Sequence, residues 1–176
     1  MFFQKTKIGG VIEVQLDRKT DERGFFARSW CRTEFEEAGL DSRLVQCSIS
    51  YNERRGTLRG MHYQAAPFAE VKLVRCTRGS MFDVVLDVRR GSPTCKKWFA
   101  VELSAENGRM LYLPEGCAHG YQTLEDNTEM HYMASAVYTP SAALGARFDD
   151  PAFQIHWPLA VTAISEQDRS WPLITA

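Results

Sequence analysis

The stretch GTLRGMHYQ, Gly56 to Gln64, reads as a β-strand whose two faces do not separate into apolar and polar. Neighbours on a pleated strand point to opposite sides, so Leu58, Gly60, His62 and Gln64 share one face, and Thr57, Arg59, Met61 and Tyr63 the other. An arginine and a histidine among leucine, methionine and tyrosine imply a strand that lines a pocket, or an edge strand with a wet face, since binary patterning fails where function overrides it. Taken alone, a strand histidine is more often a hydrogen-bonded packing residue.

On either side, strand signals dominate. GGVIEVQL, FFARSW, LVQCSISY, VKLVRCTRG, MFDVVLDV, WFAVEL, RMLYLP, GYQTL and EMHYMASAVY are short, rich in β-branched and aromatic residues, and separated by Gly, Pro, Asn or Asp. Two peripheral helices are expected: one in TEFEEAG, with Thr33 as cap and Glu36 three residues on, and a short turn beginning at Ser165. Many short strands in one compact domain, residues 1–176, point to a sandwich, jelly roll or small barrel.

Composition restricts the partners. A chain of 176 residues that is 44% hydrophobic can bury one sizeable core. A net charge of −1 without Lys/Arg runs argues against nucleic acid and membrane surfaces, which demand concentrated positive charge. No apolar run spans a bilayer. The five cysteines, Cys31, Cys47, Cys76, Cys95 and Cys117, form no CxxC pair, so neither a disulfide framework nor a zinc site is indicated, and a reducing cytoplasm fits. The ligand expected is small.

Two turns narrow the fold. GTLRGMH ends in His62, and PEGCAHG, from Pro114, carries His119; together they resemble the two halves of the cupin signature. Metal-binding cupins place two histidines and a glutamate in the first half, whereas Tyr63 and Gln64 follow His62 here, so a protein metal site is not expected.

The resemblance then becomes specific. DERGFF, GTLRGMHYQ, KLVRCTRGSMFDVVLDVRRGSPT, VELSAENGRMLYLPEGCAHGYQTLED, VYTP and RFDDPAFQIHWP, in this order, are similar to the dTDP-4-dehydrorhamnose 3,5-epimerase family from Asp21 to about Leu173. The resemblance implies an all-β, cupin-type jelly roll and a homodimer exchanging N-terminal strands. It also implies a cofactor-free enzyme that inverts carbons flanking the ketone of a nucleotide-linked, dTDP-type 4-keto-6-deoxy sugar. Two other readings stay open: a cupin that binds nucleotide sugars without turnover, and a metal-dependent cupin enzyme.

Epimerisation beside a ketone needs a base for a carbon-bound proton, a donor for the enolate oxygen, and an acid on the opposite face. His62 matches the family's base, an imidazole being the side chain suited to accept and later release a proton. Asp168, in SEQDRSWPL, matches its carboxylate partner, although Ser165 three residues earlier also reads as a helix cap. Lys72, in EVKLVRC, alternates onto one face with Val74 and Cys76, and an inward ammonium needs a partner, which makes it the candidate for the enolate. Tyr132 shares a face with Met130, Ala134, Ala136 and Tyr138, with His131 pointing away, and matches the family's acid. Arg23 and Arg59 match arginines that hold pyrophosphate, one of them supplied by the partner's exchanged strand. Arg59 and His62 are three residues apart, so only a bulge or twist at Gly60 brings both to one cavity. Gln46, Phe26, His119 and Tyr138 match positions around nucleotide and sugar.

Four positions depart from the family. Arg28 stands where relatives often have glutamate, Ser48 where they have asparagine, and Ser141 and Ala143 where they commonly carry glutamates. The chemistry is kept and the recognition altered, which leaves room for an enzyme that inverts one carbon.

Overall fold

Residues 1–174 are described by a computed structural model. Two antiparallel sheets carry the fold. The first has the order β1 (Phe2–Lys5), β2 (Ile12–Gln15), β10 (Met110–Leu113), β7 (Lys72–Arg78), β12 (Thr128–Ala134) and β5 (Gln46–Asn52). The second runs β13 (Ala143–Gly145), β6 (Leu58–Gln64), β11 (Cys117–Thr123), β8 (Ser80–Asp87) and β9 (Trp98–Ser104). A small hairpin, β3 (Lys19–Asp21) and β4 (Gly24–Phe26), stands apart. The helices α1 (Arg32–Glu37) and α2 (Glu166–Ser170) are peripheral. This is the jelly roll expected of a cupin.

The central strands β10, β11 and β8 are buried along their length because both their faces are covered. Val74, Cys76, Met81, Val85, Leu111 and Tyr121 meet between the sheets. The alternate residues of the first sheet, Leu73, Met110, Tyr112 and Met133, pack outward against Phe35 of α1. Phe3 meets Phe35 edge to face at 5.3 Å between ring centres. On the second sheet, Val84, Leu86 and Ala118 are roofed by Phe153 and Trp157 of the C-terminal segment. Apolar burial stops at one end of the roll, where the inward positions become Gln46, Ser48, Arg59, His62 and Lys72, and there a cavity opens.

The mixed strand β6 owes its pattern to one extra residue. His62 lies opposite His119 and Arg59 opposite Tyr121, so three steps along β6 match two along β11. That bulge turns Arg59 and His62 to the same side. It sits at Gly60, whose φ is +121° and whose added Cβ would lie 2.5 Å from Gly120 Cα and 2.8 Å from the His119 carbonyl oxygen.

Two local expectations are corrected. The cap of α1 is Cys31, extended at φ −152° and ψ 124° with no side-chain cap bond, and Thr33 lies inside the helix. The capping box fails because Glu36 instead accepts from the Ser42 hydroxyl at 2.8 Å. Strand β12 stops at Ala134, where Ser135 pairs with Val71 through both its backbone N–H and its hydroxyl. Tyr138 therefore does not alternate along the strand with Tyr132; it stands on a strap that follows it.

Candidate active site

A cavity of about 520 Å³ opens between the sheets. His62, on β6 of the second sheet, forms one wall, with Arg59 and Gln64 from the same strand. Lys72 on β7 and Tyr132 on β12 stand on the first sheet, opposite it. His119, Gln46 and Tyr138 complete the set of expected residues that line the cavity.

His62 Nε2 lies 2.6 Å from Asp168 Oδ1. Asp168 is buried at the first turn of α2, where the Gly60 N–H donates to its Oδ2 at 3.2 Å and its own N–H donates to the Ser165 hydroxyl at 3.1 Å. Burial alone would raise the Asp168 pKa, but the His62 hydrogen bond, the nearby imidazole and the Gly60 and Ser165 contacts outweigh it and hold the carboxyl below its ordinary value. An ionised carboxylate only accepts, so His62 donates through Nε2 and its Nδ1 lone pair is left for the cavity. The helix cap and the contact with His62 coexist: Ser165 caps the helix that presents the Asp168 carboxylate.

A second imidazole–carboxylate pair lies alongside. His119 Nε2 is 2.8 Å from Asp83 Oδ2, both groups buried, and the His119 ring stacks on Tyr121 at 6.2 Å between centres. The Tyr121 hydroxyl meets Ser50 at 2.8 Å, and burial raises its pKa against the lowering effect of Ser50 and Asn52. Asn52 Oδ1 accepts from Arg59 Nε at 2.8 Å, which aims the guanidinium along the rim. Among the described residues, no group of three or more His, Cys, Asp or Glu is placed to hold a metal ion.

Lys72 Nζ lies 3.0 Å from Glu70 Oε1 and 3.5 Å from the His62 carbonyl oxygen. Glu70, Gln64, Asp83 and Trp171 belong to this site or its supports and were not singled out in the sequence. Asp83 carried a signal, an acid sharing a strand face with Met81 and Val85 in MFDVVLDV. Arg23 and Phe26 are not brought to the cavity of their own chain: they project from the β3–β4 hairpin, with the Arg23 side chain 84% exposed beside Asp21 and Phe26 72% exposed. Of the departures, Ser48 and Ala143 line the cavity, whereas Ser141 is exposed outside it and Arg28 pairs with Glu34 at 3.1 Å.

A family sequence model described as dTDP-4-dehydrorhamnose 3,5-epimerase matches residues 5–176. The chain belongs to this family. It is 44% identical to the dTDP-4-dehydrorhamnose 3,5-epimerase of Sinorhizobium fredii over 98% of its own length and 89% of that protein. The crystal structure of the Bacillus anthracis epimerase with TDP and PPi bound superposes with a TM-score of 0.95 at 34% identity, covering 98% of this chain and 99% of that one. ChmJ, a 3′-monoepimerase of Streptomyces bikiniensis solved with dTDP-quinovose, gives 0.88 at 31% identity over 95% and 85%. The chain is thus an isomerase of the nucleotide-sugar epimerase type, serving deoxysugar biosynthesis. Among the described residues, no helix is long and apolar enough to cross a membrane.

Proposed function

We propose that this enzyme, one catalytic unit spanning residues 1–176, epimerises a dTDP-linked 4-keto-6-deoxy sugar at C3, C5 or both, in the cytoplasm and without a cofactor. His62 Nδ1 removes the proton beside the ketone and the imidazolium is held by Asp168. The electron pair moves onto the ketone oxygen, where Lys72 receives the enolate. Tyr132 then returns a proton to carbon from the opposite face, after which the phenolate regains a proton from solvent and the His62 imidazolium releases its own to solvent. Arg59 holds the pyrophosphate, and Gln46, His119 and Tyr138 flank the nucleotide and sugar. Arg23 and Phe26 serve the cavity of a second copy in a homodimer that exchanges its N-terminal strands.

The observation that carries this reading is the placement of His62, backed by Asp168 of α2, on one sheet and of Lys72 and Tyr132 on the other. A sugar ring lying between the walls offers one face to the base and the other to the acid, which is what inversion requires. The bound TDP of the Bacillus anthracis relative and the dTDP-quinovose of ChmJ support the nucleotide.

The test is solvent-deuterium incorporation into a dTDP-4-keto-6-deoxy sugar, followed by product stereochemistry. Wild type should incorporate deuterium and invert at least one carbon. His62→Asn should lose exchange by roughly a hundred- to ten-thousand-fold while binding dTDP as before, because the group acts on a proton and not on the nucleotide. Exchange persisting in the variant would remove His62 as the base.

A further inference from the structure

With Lys72 assigned to the enolate, Glu70 and Gln64 remain in the cavity wall without a task. Glu70 lies two residues before Lys72 and pairs with it at 3.0 Å, with side-chain exposures of only 9% and 14%. Its second oxygen, Oε2, accepts from Gln64 Nε2 at 3.1 Å. Gln64 is the last residue of β6 and 3% exposed. Its Oε1 accepts the Thr139 N–H at 2.6 Å and its Nε2 reaches the Val137 carbonyl at 3.4 Å. Thr139 and Val137 flank Tyr138, whose own N–H donates to Gln46 Oε1 at 2.6 Å. A continuous run of polar contacts therefore joins the Lys72 ammonium to the strap that carries Tyr138.

A lysine is a point charge on a flexible four-carbon stem, so its aim depends on what holds it. Here one buried carboxylate does so, and that carboxylate has both oxygens engaged, which keeps the pair in a fixed geometry. We propose that Glu70 is a positioning residue for the epimerisation: it aims Lys72 at the ketone oxygen and, through Gln64, ties that aim to the Tyr138 strap. Sugar binding against the strap and enolate stabilisation at Lys72 are then set by one hydrogen-bonded unit. The inference rests on the role proposed above for Lys72.

The experiment compares wild type, Glu70→Gln, Glu70→Asp, Gln64→Leu, Lys72→Gln and the Glu70→Gln/Lys72→Gln double variant on a dTDP-4-keto-6-deoxy sugar. Turnover is expressed per dTDP-binding site. Glu70→Gln should lower kcat roughly a hundredfold with KM within a few-fold, as a misaimed catalytic group does, and Glu70→Asp should recover part of the loss. Gln64→Leu, which frees the strap, should act mainly on KM, raising it roughly tenfold. The double variant should be no slower than Lys72→Gln, because Glu70 acts only through the lysine. A kcat for Glu70→Gln within twofold of wild type overturns the proposal, as does a double variant that multiplies the two single losses. A residue needed only for folding would lower the melting temperature and leave kcat per binding site unchanged, which also overturns it. Wild type that binds dTDP but leaves the sugar unexchanged would overturn the epimerase reading itself, before any variant is compared.

Discussion

The proposed division of the proton transfers between His62 and Tyr132, on facing walls of the cavity, has a consequence at the level of single atoms. Tyr132→Phe removes a phenolic donor at almost unchanged volume, so packing against the core is little disturbed. If His62 takes the proton and Tyr132 returns one to the other face, the variant should keep deuterium exchange at the first carbon while net inversion at the carbon it serves falls by roughly a hundredfold or more. Exchange in heavy water and product stereochemistry, measured side by side, read the two steps separately. Inversion at the wild-type rate would make Tyr132 a packing residue, and equal loss of both would place it earlier, beside Lys72 at the enolate oxygen. His62 and Lys72 stood out in the sequence because each breaks its local pattern, a histidine and a lysine on strand faces that otherwise carry Leu58, Val74 and Cys76, whereas Tyr132 was singled out through the family resemblance. Glu70 did not stand out, because a glutamate two residues before a lysine at a strand entrance looks like an ordinary surface pair until both side chains are found largely shielded from solvent.

At the scale of the element, strand positions followed from alternation, while their ends and irregularities followed from contacts far away in sequence. Tyr138 was placed on the strand with Tyr132 because Met130, Ala134 and Ala136 continue the period; what ends β12 is the pairing of Ser135 with Val71, which no local rule contains. The bulge in β6 is the opposite case. Glycine at position 60 announced a break, and a residue at φ +121° with no room for a Cβ confirms it. Gly60→Ala should therefore destabilise by about 3 kcal/mol or more, a drop of roughly 6–12 °C in Tm for a chain of this size, with loss of activity because Arg59 and His62 no longer share a face. A variant with wild-type Tm and turnover would mean the bulge is not needed. The turn between β8 and β9 is fastened differently. Asp87 is fully buried and accepts from the Arg89 N–H, Nε and Nη2 at 3.0, 2.8 and 2.8 Å and from the Ser92 and Thr94 hydroxyls, each at 2.6 Å. Burial would raise its pKa, but Arg89, Ser92 and Thr94 together hold it far below the carboxylate range. A depressed native pKa contributes stability that is present above the unfolded value, about 3.9, and is lost as pH falls towards the native one. Asp87→Asn should thus cost about 3 kcal/mol at neutral pH and flatten the stability profile between about pH 5 and pH 2. Denaturation midpoints of the two proteins across that range check it, and parallel profiles would count against the assignment.

At the scale of the whole molecule, the outer face of the first sheet is unfinished. Ile49 on the edge strand β5 is 65% exposed, and in register with it across β12 and β7 stand His131 and Arg75, whose Nε is buried without a partner among the described residues. Val45 and Tyr51 continue the exposed apolar face, and Phe25 and Phe26 project from the hairpin with Arg23. An edge strand that exposes apolar side chains on one face is an aggregation hazard unless another chain covers it. The homodimer proposed above would supply that cover. Ile49→Glu should shift the species from twice 20.0 kDa to a single chain in light scattering, and activity should fall with it. The sharper consequence is complementation. Arg23→Ala keeps its own His62 but offers no arginine to its neighbour, whereas His62→Asn lacks the base but still offers Arg23. In a heterodimer of the two, one cavity has every wild-type group. Random pairing makes about half the dimers mixed, each with one intact site of two, so co-expression should return about one quarter of wild-type activity at low substrate from parents that are each nearly inactive. A mixture no more active than the mean of its parents would mean that Arg23 acts on no neighbouring cavity, and that the exposed hairpin serves something other than catalysis.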